Sequence, residues 1–158
     1  MSKPLVTTIA AACVLALPAL AHSRQVTLTT QLKNYGGDGA YLAVYLTDAK
    51  GAYARTLWVA GGKAKYYKHL ADWSRLSAGD AKRLNGVTGA SVGAGRTLKV
   101  TADLADALID AGYEIRIDAA AEDMRDSPGE VRVPLTTQNA GKPQAGKQYI
   151  QSLTYQLQ

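Results

Sequence analysis

The sequence contains no phenylalanine and only one cysteine, Cys13, among 158 residues. It has two histidines, His22 and His69. After the first twenty residues it has no apolar run long enough to cross a bilayer. Each absence excludes something. A core without Phe must be filled by Tyr, Trp, Leu and Val. A chain whose one thiol lies near its start is not built on disulfides or thiolate metal sites. Two histidines leave no room for a helical His-Glu zinc motif, and no serine stands in a nucleophile-elbow pattern. There are no internal repeats and no low-complexity tail. The formal charge is +5, with basic residues scattered among acidic ones, which reads as a solvated surface, or weak attraction to anionic envelope lipid or an acidic partner, not a nucleic-acid stripe.

What is present begins with a targeting segment. Lys3 precedes an apolar run from Leu5 to Leu17, Pro18 breaks it, and Ala19-Leu20-Ala21 supplies small residues for cleavage. Residues 1–21 therefore read as a secretory signal peptide, with Cys13 inside the removed part. Ala10 stands where a lipoprotein signal would place Leu. Removing Lys3 takes the charge from +5 to +4. The expected product is an exported, soluble domain over 22–158, folded on a packed core alone.

Period-two alternation marks strands at 25–33, 40–47, 52–60, 96–104, 112–120, 130–137 and 148–158. The pair "AYLAVYLT" and "AYARTLWVA", joined by "DAKG", is the clearest hairpin. In 112–120 the pattern turns Tyr113, Ile115 and Ile117 inward and Glu114, Arg116 and Asp118 outward. Residues 63–84 change to helical spacing, with Tyr66, Leu70 and Trp73 on one face, and divide into one or two short helices. Ser77 would cap the second, with Asp80 in its first turn. Residues 105–112 are helical by composition or a turn-rich connection. These seven strands and one helical insertion predict an all-β fold, an immunoglobulin-like β-sandwich. Tyr66 and Trp73 are expected to close one end of it. With Tyr67 they also offer rings on which a flavin or a sugar could stack.

The blocks "YLAVYLTDAKGAYARTLWVAGGKAKYYKHLADW" at 41–73, "NGVTGAS" at 85–91, "AGYEIRIDAA" at 111–120 and "VRVPL" at 131–135 resemble, in order, family 2271 among the domains of unknown function, a set of predicted periplasmic proteins. The resemblance implies a periplasmic location and an immunoglobulin-type sandwich. It also implies association with PepSY-type membrane proteins and with flavin transferases of extracytosolic electron transfer.

That context gives the loop "NGVTGAS" a second meaning. Covalently flavinylated proteins share the pattern Asp, Gly, any residue, Ser/Thr, Gly, Ala, Ser/Thr, whose last hydroxyl carries FMN as a phosphoester. Here the positions are Asn85, Gly86, Val87, Thr88, Gly89, Ala90 and Ser91, and six of the seven agree. Asn85 replaces the Asp. The resemblance makes Ser91 the acceptor and Thr88 its upstream companion. A serine hydroxyl is a weak nucleophile and needs an external base, and small neighbours let it enter a foreign active site. The same residues also make an ordinary connector. A nucleotide cradle is excluded. Gly95-Arg96-Thr97 has Arg for the Walker Lys, Ala90 stands at the first Walker Gly, and Gly93-Ala94-Gly95 ends on Leu98.

Two metal arrangements also follow from the sequence. Cleavage after Ala21 would expose the α-amine of His22 beside its imidazole, which is either an incidental residue at a chain end or a copper-binding pair for which His69 is the available second histidine. Asp103, Asp106 and Asp110 are spaced to bind a cation or to form a solvated acidic face.

Overall fold

The computed structural model describes residues 22–78 and 84–158. The expected signal peptide lies outside the described residues, and so does the expected second helix around Asp80.

Among the described residues, eight strands form two sheets. β1 (Ser23–Leu32) lies between β5 (Thr97–Ala105) and β8 (Ile150–Leu157) in a three-stranded sheet. The other sheet has the order β4 (Thr88–Gly89), β3 (Tyr53–Ala60), β2 (Tyr41–Thr47), β6 (Glu114–Ala120), β7 (Ser127–Pro134). All pairings are antiparallel except β3 with β4. This is the expected immunoglobulin-like sandwich, with the two-residue β4 added to the seven strands legible in the sequence.

The alternation explains the main core. Val26, Leu28 and Leu32 of β1 face Leu42, Val44 and Leu46 of β2 and Ile115 and Ile117 of β6, all at most 1% exposed. Tyr149 and Tyr155 take the volume that Phe would occupy elsewhere and satisfy their hydroxyls at the margin. Tyr149 donates to the Arg125 carbonyl at 2.7 Å, and Tyr155 to the Thr136 carbonyl at 2.7 Å.

β2 is buried on both faces, as its near-continuous apolar sequence requires. Its outer face carries a second core of Ala43, Tyr45, Val59, Leu70, Trp73, Leu84 and Ala120. The helical insertion covers it, as a 3₁₀ turn (Ala64–His69) followed by α1 (Ala71–Leu76). This corrects two expectations. Trp73 does not close an end of the sandwich; it packs on the outer face of the five-stranded sheet. Tyr66 does not share that role and stands 37% exposed. Ser77 ends α1, its N–H donating to the Trp73 carbonyl at 2.8 Å. Residues 105–112 form a short 3₁₀ turn (Asp106–Leu108) and a connection. β7 begins earlier than expected, taking in Pro128 and Gly129. A proline is tolerated there because β7 is an edge strand.

Asp118 is the sharpest correction. The alternation places it on the outward face, but there it is fully buried beneath the insertion. It accepts from the Trp73 amide at 2.7 Å, the Gly129 amide at 2.8 Å and the Tyr45 hydroxyl at 3.2 Å. Burial pushes its pKa up, the Gly129 and Trp73 amides pull it back, and Asp72 adds to the rise. The same surroundings push the Tyr45 phenol up, burial first and Asp118 second.

Candidate functional site

The motif loop is built onto the edge of the five-stranded sheet. Leu84 anchors it in the second core. Gly86 turns the chain at φ +78°, a conformation that favours glycine. The Val59 amide donates to the Val87 carbonyl at 2.8 Å and the Gly61 amide to the Gly89 carbonyl at 2.7 Å, which lays Thr88–Gly89 parallel to β3. Gly89 lies on the indole of Trp58. A Cβ there would meet the ring at 2.6 Å. Beyond it, Val92 and Ala40 exchange backbone bonds of 2.9 and 2.7 Å. The chain is thus pinned at Gly89 and at Val92, and Ala90 and Ser91 form an exposed crest between the two anchors.

Ser91 opens onto a cleft of about 670 Å³ at this end of the sandwich. Gly39 makes room for its hydroxyl, because a Cβ at Gly39 would stand 2.7 Å from Ser91 Oγ. Tyr41 at the start of β2 and Tyr66 on the insertion form an aromatic wall, edge to face at 5.9 Å and 85°. The contact continues inward through Tyr67, 6.2 Å from Tyr41, to Trp73, 5.7 Å from Tyr67. Lys65 Nζ lies 4.8 Å over the Tyr66 ring. His69 also faces the cleft, its Nδ1 3.0 Å from Asp126 Oδ2. The rest of the rim is acidic, with Asp38, Glu122 and Asp123, and Lys63 is the lysine on its wall.

The residues singled out in the sequence divide between places. Ala90 and Ser91 line the cleft; Asn85 and Thr88 are exposed on the loop and edge strand away from it. His22 and His69 are not brought together. His22 precedes β1, where its carbonyl accepts from Asp106 at 2.9 Å. The cleft follows the other end of that ten-residue strand, about 30 Å away at ~3.3 Å per residue. The three aspartates do not converge either. Asp106 pairs with Arg24 at 3.1 Å, Asp110 accepts from the Thr137 amide and hydroxyl at 3.0 Å each, and the Asp103 carbonyl accepts from Arg55 at 2.8 Å. Among the described residues no group of three or more His, Cys, Asp or Glu is arranged to hold a metal ion.

The cleft's other wall, Asp38 to Tyr41 and Ala120 to Asp126, carries no motif in the sequence. One signal pointed there: "GGDG" and "AEDMRD" are the two polar loops that flank the start of β2 and the end of β6, and those strand ends are neighbours through the pairing of Tyr41 with Ala120.

Together these features define a class of protein, an immunoglobulin-like β-sandwich with one outer face closed by a helical insertion and an aromatic, acid-rimmed cleft at one end. Residues 23–152 match the family model DUF2271, described as a predicted periplasmic protein, and the chain belongs to that family. No curated protein and no solved structure matches it. Among the described residues no helix is long and apolar enough to cross a membrane.

Proposed function

We propose that this protein is a periplasmic accessory component of a membrane-linked, flavin-dependent redox system and carries FMN as a phosphoester on Ser91. The observation that supports this reading is the placement of Ser91. Its side chain stands on an exposed crest, between two backbone anchors, beside a cleft large enough for a planar cofactor. The six agreeing positions of the attachment pattern point to the same hydroxyl.

In the attachment step Ser91 Oγ attacks the FMN phosphorus of FAD. The Oγ–P bond forms, the pyrophosphate bridge breaks, and AMP leaves. The serine proton goes to a base of the flavin transferase, and a metal ion there would neutralise the pyrophosphate being split. This chain supplies the acceptor and its access: no side chain at Gly39 to crowd Oγ, and a short Ala90 beside it. Bound FMN would supply one- or two-electron transfer. A PepSY-type membrane protein and the flavin transferase are the partners of this reading. Co-expression with a flavin transferase, followed by proteolysis and mass mapping, tests it: the adduct belongs on the peptide containing Ser91.

A second reading is a cofactor-free interaction domain for the same kind of membrane partner. Two observations favour it. The fold itself requires Gly86 and Gly89, through a positive φ and the Trp58 contact. The cleft rim, moreover, is acidic. This reading predicts no adduct and a partner complex that survives Ser91→Ala.

A further inference from the structure

We propose that the cleft beside Ser91 seats the isoalloxazine ring, and that its carboxylate rim makes negative charge on the reduced ring unfavourable. The inference rests on the reading of Ser91 as the FMN acceptor.

The cleft has the size of sites that enclose small ligands. Tyr66 is the one large apolar side chain left exposed among the described residues, and it stands against Tyr41 instead of being covered. Ring surface left open inside a hollow is suited to stacking on a second π-system. Ala121 and Met124 provide apolar floor opposite the crest, the Met124 sulfur packing close over Gly37. A phosphodiester on Ser91 would stay at the lip, so an uncharged ring is the part of the cofactor that enters.

The rim then determines the ring's electrostatics. Asp38, Glu122 and Asp123 are exposed and make no salt bridge among the described residues; Asp126 is paired with His69. Two electrons and one proton convert the neutral oxidised ring into a reduced ring of charge −1. Nearby carboxylates oppose that gain of charge. The effect is exposed to solvent and weakens with salt.

Ser91→Ala protein, which has no acceptor hydroxyl, is titrated with riboflavin, which has no phosphate. Saturable quenching of flavin fluorescence is expected, with shifts in the amide resonances of Ala121 and Met124. Tyr66→Ala, a change at an exposed side chain, is expected to weaken binding by about tenfold or more, as is Ala121→Trp, which fills the cleft. Absence of saturable binding, or binding unchanged in both variants, overturns the seat whatever happens at Ser91. Intact mass of the wild type after co-expression with a transferase reports separately on attachment. For the charge effect, the midpoint potential of the bound flavin is measured by dithionite titration in the Glu122→Gln, Asp123→Asn double variant. A rise in potential that shrinks at high salt is expected; no change or a fall overturns the electrostatic half.

Discussion

The backbone amide of Trp73 donates to Asp118 Oδ2 at 2.7 Å, with both residues buried. This bond fixes the helical insertion to β6. It also sets the position of the insertion from which Tyr66 and His69 reach the cleft. A buried carboxylate with three donors is costly to remove, because each donor is then left without a partner in a site closed to water. Asp118→Ala is expected to destabilise the fold by about 3–5 kcal/mol in chemical denaturation, and Asp118→Asn by less, since it retains one acceptor oxygen.

Glu130 is the counterpart of Asp118 and titrates in the opposite direction. Its Oε1 accepts from four successive amides, Lys147 and Gln148 at 2.9 Å and Tyr149 and Ile150 at 2.8 Å. Gly146 lets the chain wrap this closely, since a Cβ there would lie 2.6 Å from Oε1. Burial acts to raise the Glu130 pKa, but the Ser127 hydroxyl and the Ile150, Gln148 and Tyr149 amides outweigh it and hold it below the ordinary value. Asp118, with fewer donors and Asp72 nearby, is held above its ordinary value.

Linkage turns these directions into opposite pH profiles. A lowered Glu130 stabilises the fold above the ordinary glutamate pKa, and that contribution is lost as pH falls through the folded value. A raised Asp118 gives its contribution below the ordinary aspartate pKa and loses it as pH rises through the folded value. Between about pH 3 and about pH 6, the Tm gap between wild type and Glu130→Gln is expected to widen as pH rises. The gap between wild type and Asp118→Asn is expected to narrow. Parallel profiles for the two variants would contradict the assignment.

The glycines of the motif loop carry separate, measurable burdens. Gly89→Ala forces a methyl to within 2.6 Å of the Trp58 ring and is expected to cost about 1–3 kcal/mol. Gly86→Ala meets nothing within 4 Å, so its cost is the strain of φ +78° alone, about 1 kcal/mol. Thermal denaturation is expected to rank them in that order, with Ser91→Ala within about 0.5 kcal/mol of wild type because its side chain is exposed.

Asn85 stands in place of the acidic residue of the attachment pattern, exposed at the turn before β4. Asn85→Asp restores a carboxylate without a packing cost. It is expected to raise the flavinylated fraction when transferase is limiting, read by intact mass at fixed times.

The sandwich was legible because alternation reports which residues face inward, and in β1 and β5 one face dominates. What covers the other face leaves no periodic trace. Asp118 sits in "EIRID", indistinguishable by pattern from the outward Glu114 and Arg116, yet the insertion buries it. Helical spacing over 63–84 puts Tyr66, Leu70 and Trp73 on one face of one or two short helices. The break at Leu70, between the 3₁₀ turn and α1, separates them, sending Trp73 under the insertion and Tyr66 to the cleft. Ser91 is singled out in the sequence by the likeness of its loop to the attachment pattern. The cleft beside it is not, because its walls come from segments distant in the chain and meet only once β2 pairs with β6.

The carrier role depends on a single hydroxyl, that of Ser91. Wild-type protein and Ser91→Ala are each co-expressed with a flavin transferase, exported, and weighed intact. A wild-type mass increased by one FMN less one water is expected, with no increase in Ser91→Ala. An unmodified wild type, or an adduct that persists in Ser91→Ala, would contradict the carrier role.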